Sequence, residues 1–260
     1  MYLLFMRYRL LLSYDGGCFN GWQKQPSGPP TVQGTLEKII QQVLRHPVKI
    51  LGSGRTDTGV HAFGQVAHFD SERVLTHSFV RSLNALAPEG LVIRGVWAAP
   101  SDFHALASAT EKTYIYRIWN SALPSVFMRD WSHQVSKPLD LEKLNELSSL
   151  LVGELDFKSF QTSGTPVSTT VRVVREAKWV RKNRNLIEFR ITGEGFLKQM
   201  VRNIVGTLLY LERKGLGPNE LRAILSANDR QKAKATAPPQ GLYLLQVKYP
   251  AVLDNQCRKI

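Results

Sequence analysis

The segment Gly52-Ser53-Gly54-Arg55-Thr56-Asp57-Thr58-Gly59-Val60-His61-Ala62 concentrates side chains that can do chemistry. It follows a β-like stretch, so it reads as a loop held by a rigid element, where catalytic groups gather. Gly54 and Gly59 free the backbone on either side of Asp57, so that the carboxylate can be presented into a cleft. Arg55, two residues upstream, is a natural charge partner, since a nearby guanidinium favours the ionised carboxylate. At neutral pH Asp57 would be an anion ready to attack an electrophile or to accept a proton. The same residue types also build ordinary Asx turns.

Three other motif readings compete. Gly52-x-Gly54 resembles the start of a dinucleotide fingerprint, but Asp57 stands where the third glycine belongs, which rejects it. Asp57-Thr58-Gly59 matches the tripeptide of aspartic proteases, which need two carboxylates sharing a proton. There is no second copy, and Arg55 opposes a shared proton; only a homodimer could supply the partner Asp. His61 and His68 lack the carboxylate pair or cysteine set of a metal site, and read as structural histidines. Farther along, Tyr114 lies in a strand-like Lys112-x-Tyr114-x-Tyr116, where a core or cross-strand tyrosine is ordinary. Arg202 lies within an apolar helical stretch. Buried there, it needs an anionic partner, for which Asp57 is the candidate, with Arg55 left for substrate phosphate or for the same pair. The alternative is an arginine at the helix edge reaching to solvent.

The elements that would position these residues follow from periodicity. Residues 7–14 read as a strand ending at the turn Asp15-Gly16-Gly17. The spacing of Val32, Leu36, Ile39, Ile40 and Val43 predicts a helix over 32–45, stopped by Pro47. Strands are expected over 48–51, 65–69 and 91–97, with a helix over 78–86 between the last two. A second cycle starts with a strand over 112–119, then a leucine stripe from Leu141 to Leu151. Strands over 171–181 and 186–192 follow, joined by the polar turn 182–185. Helices over 196–211 and 218–225, the latter opened by Pro218, precede a last strand over 241–249. Strands mixed with few helices favour α+β with antiparallel sheets. The expected boundary lies near residue 105, giving domains 1–105 and 106–260.

Composition narrows the partners. The 260 residues carry 34 Lys+Arg against 21 Asp+Glu, a formal charge of +13, and are 43% hydrophobic. That is enough to bury a core and excludes a disordered basic tail. The excess of positive charge points to a polyanion, nucleic acid first. Cys18 and Cys257 are too few for a disulfide scaffold, which predicts a reduced, intracellular chain. No run approaches 18 apolar residues, so no spanning helix is expected. The apolar start Met1–Met6 lacks the basic opening and cleavage site of a signal peptide, and Met6 is an alternative start.

The Asp57 segment and its surroundings resemble the tRNA pseudouridine synthase A (TruA) family. Its pattern Gly-Arg-Thr-Asp-Ala/Thr-Gly-Val-His-Ala is met at 54–62. In order there follow matches at Tyr14-Asp15-Gly16, Gly21-Trp22-Gln23, Val32-Gln33-Gly34-Thr35-Leu36-Glu37, Gly64-Gln65-Val66, Asp102-Phe103-His104-Ala105 and Lys112-x-Tyr114-x-Tyr116. Asp156-Phe157, Met200-Val201-Arg202-Asn203-Ile204-Val205-Gly206, Ala237-Pro238 and Gly241-Leu242-Tyr243-Leu244 complete the series. The resemblance implies isomerisation of uridine to pseudouridine at tRNA positions 38, 39 and 40, in the anticodon stem-loop. It makes Asp57 the catalytic aspartate, Tyr114 the tyrosine contacting the uracil, and Arg55 and Arg202 the active-site arginines. It also implies two α+β domains, their antiparallel sheets joined across a central basic cleft with helices outside. A cytoplasmic homodimer without cofactor or metal is expected. One departure stands out: many members carry Arg after Phe-His-Ala, and this chain has Leu106. Thr58 for Ala is a mild change.

That chemistry suits the residues. The N1–C1′ bond must break and a C5–C1′ bond must form, with no net redox change. A carboxylate can attack C1′ or C6, forming a covalent intermediate, or act as a base; residue types do not choose among these routes. The target base must leave its stack, costing a few kcal/mol, and stacking on an aromatic such as Tyr114 returns roughly 1–3 kcal/mol. Lys24, Lys198 and the Arg230-Lys232-Lys234 cluster are candidates for holding the RNA backbone. A tRNA-binding or chaperoning protein without turnover shares the charge and differs only in activity.

Overall fold

The computed structural model describes residues 5–164 and 167–260. Of the two candidate starts, Met1 lies outside the described residues and Met6 opens the first strand. Two units divide the chain, one of residues 1–110 and 244–260, the other of residues 111–243.

In the first unit the elements run β1 (Met6–Tyr14), α1 (Val32–Leu44), β2 (Leu51–Gly52), β3 (His61–Ser71), α2 (Ser78–Leu86) and β4 (Leu91–Ala99). The second holds β5 (Glu111–Asn120), β6 (His133–Val135), α3 (Leu141–Ser149), β7 (Gly153–Asp156), β8 (Val171–Arg181), β9 (Leu186–Gly193), α4 (Met200–Arg213) and α5 (Pro218–Ser226). Then β10 (Leu242–Lys248), α6 (Ala251–Gln256) and β11 (Arg258–Lys259) return the chain to the first unit.

The first unit's strands lie in the order β11-β4-β1-β3-β10, with β1 antiparallel to both β3 and β4. Tyr8, Leu10, Leu12 and Tyr14 alternate inward along β1, as a half-buried strand requires. The buried stripe Val32, Leu36, Ile39 and Ile40 of α1 forms where its spacing predicts. Thr31 caps that helix by accepting from Gly34 N, and Arg45 ends it in the left-handed region two residues before Pro47. The second unit orders β5-β9-β8-β7, all antiparallel, with the short β6 parallel to β5. Helix α3 is fastened to β8 at Asn145, whose amide exchanges two hydrogen bonds with the Trp179 backbone (2.8 and 3.1 Å). The Trp179 indole donates to Ser148 Oγ at 2.9 Å and packs on Phe189 at 4.7 Å between centroids. The class is therefore mixed α+β, consistent with the pseudouridine synthase fold.

Several boundaries differ from the sequence reading. The strand expected at 65–69 runs from His61 to Ser71. The helix expected from Phe196 starts at Met200, because Gln199 adopts a left-handed φ of 59° and breaks the helical path. The strand expected over 48–51 shrinks to the pair Leu51–Gly52.

Candidate active site

Asp57 lies on the loop between β2 and β3, and the loop is anchored by its other members. Ser53 N donates to Val66 O at 2.7 Å, and Ser53 Oγ to Gln65 Oε1 at 2.6 Å. The Gln65 amide donates onward to Gly54 O at 3.0 Å. Thr56 Oγ1 pairs with the Tyr14 hydroxyl at 2.8 Å, and Thr56 O accepts from Trp22 N at 3.0 Å. Burial pushes the Tyr14 phenol up to about 12, so it serves as a neutral hydrogen-bonding post. Gly59, at φ 79°, turns the chain back, and Val60 N donates to Asp57 O at 3.1 Å. Ser53 and Thr56 are buried while Asp57 is half-buried. The backbone leading into Asp57 is thus anchored by contacts of Ser53, Gly54 and Thr56 with Val66, Gln65, Tyr14 and Trp22.

Arg55 does not act as that carboxyl's charge partner. Its guanidinium is exposed and makes no ion pair among the described residues. An exposed, screened pair gains little over hydration, which leaves the side chain in solvent. Gly16 N donates to His61 Nδ1 and Ala105 N to His68 Nδ1, both at 3.1 Å, and the Asp15 carboxylate stands 3.0 Å from the same His61 nitrogen. Among the described residues no group of three or more His, Cys, Asp or Glu is placed to hold a metal ion.

In the second unit Tyr114 sits on β5 opposite Ile191 and is 8% exposed. Its ring meets Phe196 edge-on at 5.2 Å. Tyr116, two residues along the same face, is fully buried, and its hydroxyl donates to Pro238 O at 2.8 Å. Arg202, half-buried on α4, donates from Nε to Ala237 O at 2.8 Å and accepts Ala237 N at its own carbonyl at 3.1 Å. This contact needs Gly206, where a Cβ would stand 1.8 Å from Ala235 O. Ala237-Pro238 is therefore a brace that fixes both Arg202 and Tyr116. The helix-edge reading of Arg202, as a side chain free in solvent, does not hold.

The candidates for RNA backbone contact divide. Lys24 is paired with Glu37 at 2.8 Å. Arg230 is a staple: it donates to the carbonyls of Ala233 and Lys234, to Asn203 Oδ1 and to Thr236 Oγ1, tying loop 229–236 to α4. Lys234 lies over the Tyr210 ring at 5.1 Å, and Lys198 donates to Ser163 O. Lys232 is exposed.

Leu106 is exposed at the tip of a loop built on histidines. His104 Nδ1 accepts from Leu106 N and Ala107 N, while Tyr249 donates to Ala105 O at 2.7 Å. His68, 2% exposed, has its pKa lowered to about 4 by burial first, then by Arg7 and His104, with Asp70 opposing. The folded value lies below the unfolded one near 6.5, so the unfolded chain binds the extra proton first. This contribution to stability is complete above about pH 6.5 and is lost as pH falls toward about 4. The melting temperature is expected to drop through that window, and His68→Asn to flatten the drop. An equally steep drop in the variant would remove His68 as its cause.

The sequence reading missed the supports of the loop. Tyr14, Gln65 and Gly16 appear in the quoted motifs, but their types carry no sign that they converge on one loop from β1, β3 and the 16–18 turn.

The geometry defines a mixed α+β protein with one carboxylate on a braced loop and a tyrosine and an arginine fixed by a second brace. Residues 11–105 and 147–250 match the family model described as tRNA pseudouridine synthase. A tRNA pseudouridine synthase A of Bdellovibrio bacteriovorus is 46% identical over 259 residues, covering 98% of this chain and 99% of that one. Proteins of the same name from Maridesulfovibrio salexigens and Geobacillus kaustophilus are 42% and 40% identical, covering 94% and 96% of this chain and 90% and 96% of theirs. The chain belongs to the tRNA pseudouridine synthase A family, a family of isomerases.

Proposed function

We propose that this protein isomerises uridine to pseudouridine at positions 38, 39 and 40 of the tRNA anticodon stem-loop, with Asp57 as the reacting carboxylate and no cofactor. The observation that carries this reading is the Asp57 loop: contacts of Ser53, Gly54 and Thr56 anchor its backbone, and the loop presents Asp57 at a half-buried position. The near-full-length relatives, each named tRNA pseudouridine synthase A, support the substrate class. The charge of +13 suits a polyanionic substrate.

In this reading region 1–105 carries the carboxylate and region 106–260 the residues that grip the base. Tyr114 contacts the uracil, and Arg55 and Arg202 are the cations of the substrate site. Arg55, exposed and unpaired among the described residues, suits a phosphate. Attack at C1′, attack at C6 and proton abstraction all require the ionised carboxylate. In each, the N1–C1′ bond breaks, C5 bonds to C1′, the C5 proton passes to solvent, and N1 takes up a proton in its place. Tritium release from tRNA labelled at uridine C5 tests this directly. Release by the wild type is expected; tRNA binding without release from any of several tRNAs would make the protein a binder without turnover.

The family resemblance also points to a homodimer in the cytoplasm. No helix among the described residues is long and apolar enough to cross a membrane. The segment between β5 and β6 exposes Leu123, Val126 and Phe127, the last at 85%, and such an apolar cluster suits burial against a second copy. Light scattering is expected to give twice the 29.3 kDa chain mass, and Phe127→Glu to shift it toward the monomer. A monomeric wild type would overturn the dimer.

A further inference from the structure

We propose that Lys112 and Arg172, next to Tyr114 and Phe196 in the second unit, form a binding site for a backbone phosphate of the RNA substrate. The inference rests on the tRNA-synthase reading and adds a subsite to it.

Lys112 is 8% exposed, and its ammonium makes no hydrogen bond or ion pair among the described residues. Its stem is covered while its nitrogen is not among the sealed polar atoms, so the charge sits partly desolvated at an opening an anion can reach, and such a charge is usually paired. Here the neighbouring charge is another cation: the lysine is pushed down to about 8, by desolvation first and by Arg172 second. Glu194, the carboxylate beside Arg172's end of the site, is held by another cation. Arg175 takes Glu194 at 2.7 Å and lies 3.8 Å from Glu111. Two like charges held near one another leave a site that an incoming anion would neutralise.

The geometry gives that anion room and an address. Arg172 donates from Nη1 to Thr169 O and Val171 O at 2.9 and 2.6 Å, which fixes the guanidinium plane. Its stem crosses Gly195, where a Cβ would lie 3.9 Å from Arg172 Cδ and Nε. Arg172, Gly195, Thr169 and Val173 line an open cavity of about 560 Å³, bordered also by the exposed Glu154 and by Glu194, which Arg175 holds. On β5, Lys112 and Tyr114 share a face, about 7 Å apart along the strand. Opposite Lys112 stands Gly193, and the Phe196 ring fills the space its side chain would take, 3.4 Å from that Cβ position. The same ring packs on Tyr114. An anion at Lys112 would therefore sit about one nucleotide step from a base at Tyr114, the place of a flanking phosphodiester.

The test is binding of an unmodified tRNA transcript between 50 and 200 mM salt, for wild type, Lys112→Met and Lys112→Arg. Losing one phosphate contact lowers the slope of log K against log salt by about 0.7–0.9. Lys112→Met is expected to show that smaller slope and roughly tenfold weaker binding, with Lys112→Arg restoring the wild-type slope. Should Lys112→Met not fold, Arg172→Gln, at a half-exposed position, carries the same expectation. A wild-type slope in the folded variant would overturn the site. So would protection of wild type against heat by inorganic phosphate with no change in slope, which would make it a site for the free ion. Tritium release by the wild type, measured alongside, separates the outcomes: its absence removes the parent reading, whereas release with an unchanged slope removes only this subsite.

Discussion

Asp57→Asn is expected to abolish tritium release, lowering turnover by at least about 10³-fold, while the melting temperature and tRNA affinity stay close to wild type. The substitution is nearly isosteric and removes only the charge and the basic oxygen. A positioned carboxylate acting in acid–base catalysis alone contributes about 10²–10⁴ in rate, and one that forms a covalent intermediate has no substitute in an amide. Stability is spared because the loop backbone has several anchors outside the substituted side chain. Its anchors are Ser53 and Gly54 on Gln65, Thr56 on Tyr14, and Thr56 O on Trp22 N. Binding is spared because phosphate contacts supply most of the affinity for RNA. The assignment fails if the variant keeps activity within tenfold of wild type. Loss of activity together with a large drop in melting temperature would instead give Asp57 a structural role, contradicting the anchoring described above.

What was legible in the sequence was whatever shows a simple period or a special residue. The helix over 78–86 and the strand over 171–181 appear with the expected bounds, because one carries a clean apolar stripe and the other ends at a polar turn. β3 was only half legible. Nine of its eleven residues are buried, so it lacks the alternation that marks a half-exposed strand, and Gly64 interrupts the β-branched signal. Helix α4 was extended backwards because Phe196 and Leu197 continue its apolar stripe, and nothing in the residue type of Gln199 reveals a positive φ. The short β6 and β7 carry too few residues for any period. In the site, the Asp57 loop was visible as a dense motif. The partners were not, since pairing depends on three-dimensional approach: Arg55 stays in solvent, and Arg230, which reads as an RNA contact, staples its own loop.

Gly16→Ala is expected to lower kcat/KM by about 10² or more and to destabilise the fold, although it touches no reacting group. Gly16 lies in the turn after β1, flat against the end of the Asp57 loop. A Cβ there would stand 2.2, 2.4 and 2.6 Å from the carbonyl oxygen, carbonyl carbon and nitrogen of Val60. All three are backbone atoms, so no side-chain rotation relieves the clash and the loop must shift. The atoms that would move are those that set Asp57: Val60 N donates to Asp57 O, Gly59 N donates to Gly16 O at 3.2 Å, and Gly16 N donates to His61 Nδ1. Overpacking of this kind costs about 1–3 kcal/mol. A displacement of about 1 Å at a reacting group costs about 10² in rate, because the attacking atom leaves its near-attack geometry. Gly17→Ala is the matched control. Its Cβ would meet the Asp15 carboxylate at 3.2 Å and no backbone atom of the Asp57 loop, so near-wild-type kinetics are expected. The backbone contact between Gly16 and Val60 therefore helps to set the depth of the carboxylate. Wild-type kcat/KM in Gly16→Ala would show that this contact does not place it.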